Sequence, residues 1–113
     1  VDLTLDEVRI DDFDALVIPG GQINPDLLRK EEKAIDVVKT FLSSSKTVAA
    51  VCHGPWLLIE AGGVKGRKAT SYDSIKTDMI NAGAAWYYPD PKDAAAQITD
   101  RIAFWRGVTV TAS

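Results

Sequence analysis

Thr47-Val48-Ala49-Ala50-Val51-Cys52-His53-Gly54-Pro55-Trp56-Leu57-Leu58-Ile59-Glu60-Ala61 joins two patterns across four residues. Its first five residues are small or β-branched and apolar, which predicts a buried strand. Its last six are apolar except Glu60 and have helical character, Pro55 suits a first helical turn where a missing N–H costs nothing, and Gly62-Gly63 supplies a left-handed stop. Cys52-His53-Gly54-Pro55 is therefore a strand-to-helix elbow that holds the only cysteine and the only histidine of the chain. A helix start carries unpaired backbone N–H groups, so a thiolate or a developing oxyanion at such a junction is electrostatically favoured.

Moving outward, Phe13-Asp14-Ala15-Leu16-Val17-Ile18 is a second short apolar run, ended by Pro19-Gly20-Gly21 and read as a strand buried on both faces. Between the two runs, Pro25 and Asp26 open a charged segment that becomes a helix by about Glu31. Ala34, Ile35, Val38, Phe41 and Leu42 recur at helical spacing, and Ser43-Ser44-Ser45 ends the segment. Strand, helix and strand within this length predict a right-handed parallel crossover, with both strand ends converging on one edge of the sheet, where α/β proteins build their sites. Val1-Asp2-Leu3-Thr4-Leu5 alternates like a half-buried strand, and Lys68-Ala69-Thr70-Ser71-Tyr72 reads as a strand end. Ser74 to Ala82 reads as a helix with Ile75, Met79 and Ile80 inward, and Ala84 to Tyr88 as a strand. Asp90-Pro91 reads as the start of a helix carrying Ala94, Ala95, Ile98, Ile102 and Trp105, broken by Gly107 before a last strand, Val108 to Thr111.

The 113 residues, 46% hydrophobic and 26% charged, suit a single globular domain over 1–113. A net charge of −3 with interspersed signs argues against nucleic acid or an anionic membrane as partner. No apolar stretch is long enough to span a bilayer, one cysteine forms no internal disulfide, and the cytoplasm is the expected location. No cofactor or metal is expected. The chain starts at Val1 rather than Met, and it is read as a piece of a longer gene product.

Cys52 has two readings, a small buried hydrophobe or an attacking thiolate, and the elbow favours the second. His53 can serve it as base only if the bend turns both side chains into one cleft, and a third group must then fix its tautomer. Asp26, just after the Gly20-Gly21 turn, is the candidate for that role, against a plain reading as a helix-start acid. The N–H groups of Gly21, with Gly20 beside it, and of His53 are candidate oxyanion donors, against a plain turn. Tyr72, Trp86 and Tyr87 are either pocket-lining or core aromatics.

Ala49 to Gly62 closely resembles the PfpI-type intracellular proteases and general stress proteins of the ThiJ/PfpI superfamily. The resemblance extends back through Phe13 to Gly21 and Pro25-Asp26-Leu27-Leu28-Arg29, and forward through Gly66 to Tyr72 and Ile75 to Ala84. It implies an α/β, flavodoxin-like parallel-sheet sandwich of the class I glutamine amidotransferase type, incomplete at the N-terminus. It also implies Cys52 as nucleophile, His53 as base, and an acid at the position of Asp26 supplied by a neighbouring subunit in a homodimer or hexamer. The implied activities, on small carbonyl or peptide substrates, are peptidase, glyoxalase and removal of sugar-type adducts. A redox-sensing or chaperone-like stress role for the same cysteine, or an inactive fragment, are the alternatives. Relative to that family a preceding strand, helix and strand with a glutamate near the cysteine are missing, so exposed apolar surface and free strand edges are expected around Ala15 to Ile18 and Thr47 to Val51. The stretch from Tyr87 to Trp105 does not resemble the β-rich segment of that family.

Overall fold

The elbow is seated on a parallel pair. In a computed structural model, which describes residues 1–87 and the backbone of two later strands, β1 (Ala15–Ile18) pairs in parallel with β2 (Thr47–Val51), Leu16 opposite Val48 and Ile18 opposite Ala50. The connection contains α1 (Ile23–Leu28) and α2 (Glu32–Ser43), and β2 runs through the elbow into α3 (Pro55–Glu60). A short parallel pair follows, β3 (Lys68–Ala69) with β4 (Ala85–Trp86), separated by a 3-10 turn at Asp73–Ile75 and α4 (Lys76–Asn81). Two further strands, β5 (Ile102–Trp105) and β6 (Val108–Thr111), form an antiparallel hairpin that docks on β2, giving a main sheet of order β1-β2-β6-β5.

The core is the space between the sheet and α2, α3 and α4. Ala34, Ile35, Val38 and Phe41 of α2 are buried at three- and four-residue spacing, as the sequence periodicity predicts. They meet Ile18, Val48 and Ala50 from the sheet, Leu57 and Leu58 from α3, and Val64 and Met79 beyond. Full burial of a side chain such as Phe41 or Leu58 contributes about 2–3 kcal/mol. The serine run ends α2 as expected: Ser45 takes a left-handed φ of 64°, and the Lys46 N–H folds back to the Phe41 carbonyl. Gly62, at φ 71°, does the same for α3, with the Gly63 N–H bonded to the Leu58 carbonyl.

Several expectations are corrected. Val1 to Leu5 is not a strand among the described residues. The Thr4 backbone N–H and hydroxyl both donate to Glu7 Oε1, at 3.1 and 2.8 Å, and this local turn takes the place of a ladder. The hydroxyl bond, then the backbone bond, holds the Glu7 carboxyl below the usual carboxylate range. Pro25 does not delay helix formation. It sits in the first turn of a separate helix, α1, where its missing N–H has no intrahelical partner to lose. Ile80 is exposed, because Met79 takes the core-facing side of α4, with Ile75 of the preceding 3-10 turn buried beside it. Ile102 to Trp105 is a strand, not the end of a helix: β-branched and aromatic residues lie on both sides of Arg106-Gly107, and this hairpin pattern outweighs the helical spacing. The rest of the proposed 90–101 helix lies outside the described residues.

β1 is buried on one face rather than two. Leu16 and Ile18 turn toward the helices, while Val17 on the opposite face is 65% exposed. β1 has no second strand partner among the described residues. A groove of about 120 Å³ lined by Leu5, Leu16, Val17, Pro19 and Leu28 runs along it. Free edge and apolar surface thus lie where they are expected along β1, but not along β2, which pairs with β1 on one side and β6 on the other and exposes none of its residues.

Candidate active site

Cys52 has a φ of 59°, one of two left-handed non-glycine residues described. A Cβ in this region is sterically opposed, so the conformation is held by its surroundings. Those surroundings are backbone. Gly54 N–H bonds the Val51 carbonyl at 2.7 Å, closing the turn, and Tyr72 N–H bonds the Cys52 carbonyl at 2.9 Å, clamping it from the other side. Pro55 then starts α3 in its first turn, as predicted. The turn after β1 presses on the same spot: a Cβ on Gly20 would lie 2.9 Å from the Cys52 Cβ and 3.2 Å from the Val51 oxygen. Because residue 52 stores strain that a glycine would not feel, Cys52→Gly should raise stability by about 1 kcal/mol, read as a higher urea midpoint at unchanged slope.

The bend does what neighbouring strand residues cannot do on a straight strand, where side chains diverge. It brings Cys52 Sγ within 3.3 Å of His53 Nδ1. Cys52 is half-buried and His53 is buried, 8% exposed. The imidazole stacks on Tyr72, centroids 5.1 Å apart, and meets Trp56 edge-on at 5.0 Å. Its other nitrogen, Nε2, lies 3.1 Å from Ser74 Oγ. Trp56 is itself fixed: its indole N–H donates to Asp78 Oδ2 at 3.1 Å, and the Arg29 guanidinium, paired with Glu60, lies over its ring.

Asp26 stands apart from this group. It is exposed in the first turn of α1, and within this chain both ring nitrogens of His53 are engaged by Cys52 and Ser74 instead. Neither the Gly21 nor the His53 N–H bonds an acceptor among the described residues. Gly21 has a φ of 82°. Of the three aromatics, Tyr72 reaches the imidazole. Trp86 packs against the core and donates to Ser71 Oγ, and Tyr87 is half-buried, its hydroxyl pushed up from the usual phenol range by desolvation. Ser74 is the residue that sequence reasoning missed. A serine after an aspartate at a helix start reads as a local cap, and no spacing rule links it to a histidine 21 positions earlier.

A strand-helix-strand crossover whose second strand ends in a left-handed cysteine defines a class: α/β proteins of flavodoxin-like fold with a cysteine elbow. The chain belongs to the DJ-1/PfpI family, whose model matches residues 1–113. The family match includes the stretch from Tyr87 to Trp105, and β5 at its end is a strand. The chain is 55% identical over 86 residues to Deglycase PfpI of Pyrococcus furiosus, covering 76% of this chain and 51% of that protein. It is 52% identical over 84 residues to General stress protein 18 of Bacillus subtilis, covering 74% and 48%. Among solved structures it resembles a two-domain protein of Anabaena variabilis with DJ-1/ThiJ/PfpI-like and ferritin-like domains. That similarity has a TM-score of 0.75 at 33% identity, covering 96% of this chain and 27% of that one. The chain spans about half the length of these curated relatives. No helix among the described residues is long and apolar enough to cross a membrane.

Proposed function

We propose that this chain carries the thiol site of a PfpI-type cysteine hydrolase that attacks carbonyl carbon, with removal of glyoxal-type adducts from amines as the leading activity. The observation that carries this reading is the 3.3 Å approach of Cys52 Sγ to His53 Nδ1 at a strained elbow. The relatives named deglycases point to the adduct as substrate. In this scheme Nδ1 takes the thiol proton, Sγ bonds the carbonyl carbon, and the π pair moves onto oxygen. The N–H groups of Gly21 and His53 receive that oxyanion, each contributing about 3 kcal/mol of transition-state stabilisation. With a peptide, collapse breaks the C–N bond, the imidazolium returns its proton to the amine, and water hydrolyses the thioester.

Assembly belongs to the same proposal. Ile23 and Leu27 are 75% and 51% exposed one turn apart on α1, beside Asp26, which supports a second copy covering this helix and bringing Asp26 toward the neighbouring site. A cytoplasmic stress role fits the relative named a general stress protein.

Methylglyoxal-treated N-acetylarginine and a fluorogenic peptide, offered separately, test the reading. Release of the free guanidino compound faster than in buffer is expected, with peptide release as the peptidase form of the same chemistry. If neither is turned over while mild peroxide oxidises Cys52 stoichiometrically, the redox-sensing reading replaces it.

A further inference from the structure

We propose that Trp56 is a positioning residue of this site, a wall that keeps the imidazole beside Cys52, and that Asp78 acts on the sulfur by keeping Trp56 in place. The proposal rests on the reading that His53 serves Cys52 as base. An imidazole side chain has two torsions to settle, and the 3.3 Å approach of Nδ1 to Sγ needs both. The Tyr72 ring, inclined 30° to the imidazole with centroids 5.1 Å apart, settles the plane. A stack alone still lets one ring slide across the other, because offset stacks are favourable too. Trp56 meets the same imidazole at 70° and 5.0 Å, so a slide or tilt that keeps one contact loses the other. The Ser74 hydroxyl cannot do this. It is exposed and can donate or accept, so it follows Nε2 rather than placing it.

Trp56 can act as a wall because several elements fasten it. Its backbone N–H bonds the His53 carbonyl at 3.0 Å, which ties the two residues together across the start of α3. From α4, Asp78 Oδ2 accepts the indole N–H at 3.1 Å. From the C-cap of α1, Arg29 Cζ lies 4.9 Å from the ring centroid, and its Nε and Nη2 donate to Glu60 Oε1 at 3.0 and 2.8 Å. Glu60 is one helical turn beyond Trp56, so α3 supplies both the ring and the anchor of the cation above it. Tyr72 is held differently. Its N–H bonds the Cys52 carbonyl, but its side chain is 53% exposed and its hydroxyl makes no hydrogen bond among the described residues. Of these two rings the indole is the fixed one. Asp78 bonds that indole and neither Cys52 nor His53, so its mechanical hold on the pair passes through Trp56.

Because His53 is the only histidine and Cys52 the only cysteine, ring-proton NMR and thiol alkylation each read one residue. Trp56→Leu, which keeps apolar bulk and removes the ring, should slow alkylation of Cys52 by iodoacetamide about fivefold, and Trp56→Phe should recover most of the rate. A pair of substitutions at Asp78 separates geometry from charge. Asp78→Ala and Asp78→Asn remove the same charge, but only asparagine keeps an oxygen for the indole N–H. Asp78→Ala should slow alkylation about threefold and move the His53 ring-proton shifts toward those of free histidine, and Asp78→Asn should restore both. A purely structural role for this exposed acid would leave the rate of the folded chain unchanged. Equal slowing by both Asp78 variants would make charge the cause and overturn the proposal, as would a rate and shifts untouched by Asp78→Ala. Faster alkylation in Trp56→Leu would also overturn it, showing the indole to be a shield over the sulfur. His53→Ala alkylated as fast as the unaltered chain would instead sink the reading of His53 as base. The shifts of the Asp78 pair would then still decide whether the indole holds the ring.

Discussion

Cys52→Ala reduces turnover of the adduct and of the peptide to the rate in buffer, a loss of at least about a thousandfold, with the circular dichroism spectrum unchanged. Alanine keeps the Cβ that already occupies the left-handed conformation and removes only the sulfur, so the fold has no reason to respond. Cys52→Ser should lose nearly as much, since a hydroxyl beside a lone imidazole is far harder to ionise than a thiol. Cysteine and histidine act as one unit in this scheme. Adding His53→Ala to Cys52→Ala should therefore cost nothing further. Undiminished turnover in both single cysteine variants would rule out thiolate attack.

Gly54→Ala has the largest expected effect on stability, a loss of about 3 kcal/mol measured by urea unfolding. The reason is space, not torsion. Gly54 has φ −50° and ψ −36°, which any residue adopts. An added Cβ, however, would stand 2.9 Å from the Val51 oxygen, 3.0 Å from the Ile18 oxygen and 3.0 Å from the Val51 nitrogen. All three are backbone atoms at the ends of β1 and β2, so relief requires prising this parallel pair away from the elbow. The same displacement would carry Cys52 away from His53, and the fraction that still folds should alkylate more slowly. A loss below about 1 kcal/mol would show that the elbow is more pliable than its contacts indicate.

The elbow was legible because its two halves differ in kind: an apolar β-branched run, then Gly-Pro, then a helix. Local chemistry of that sort survives folding unchanged, and so does the helical periodicity of α2. What the sequence concealed depends on partners far along the chain. The alternation of Val1 to Leu5 is a strand signal only if a neighbouring strand is there to pair with, and Thr4 and Glu7 bond each other instead. The continuous apolar run of β1 suggests two covered faces, yet the chain described covers one, and Val17 shows it. Ile102 and Trp105 satisfy helical spacing and strand composition equally, and pairing with Val108 to Thr111 decided between them. At the site, Cys52 and His53 declare themselves as neighbours, whereas Ser74 arrives through a turn fastened to the Cys52 carbonyl. Asp26 keeps its plain place as a helix-start acid within one chain.

One torsion at residue 52 both bends the chain and aims the sulfur. Under the thiol chemistry proposed above, heat tolerance and reactivity are set against each other at this one residue. A lineage that gave up the chemistry but kept the architecture would be free to drift toward glycine there, and such a replacement in a descendant would mark a retired enzyme more reliably than the loss of any residue around it.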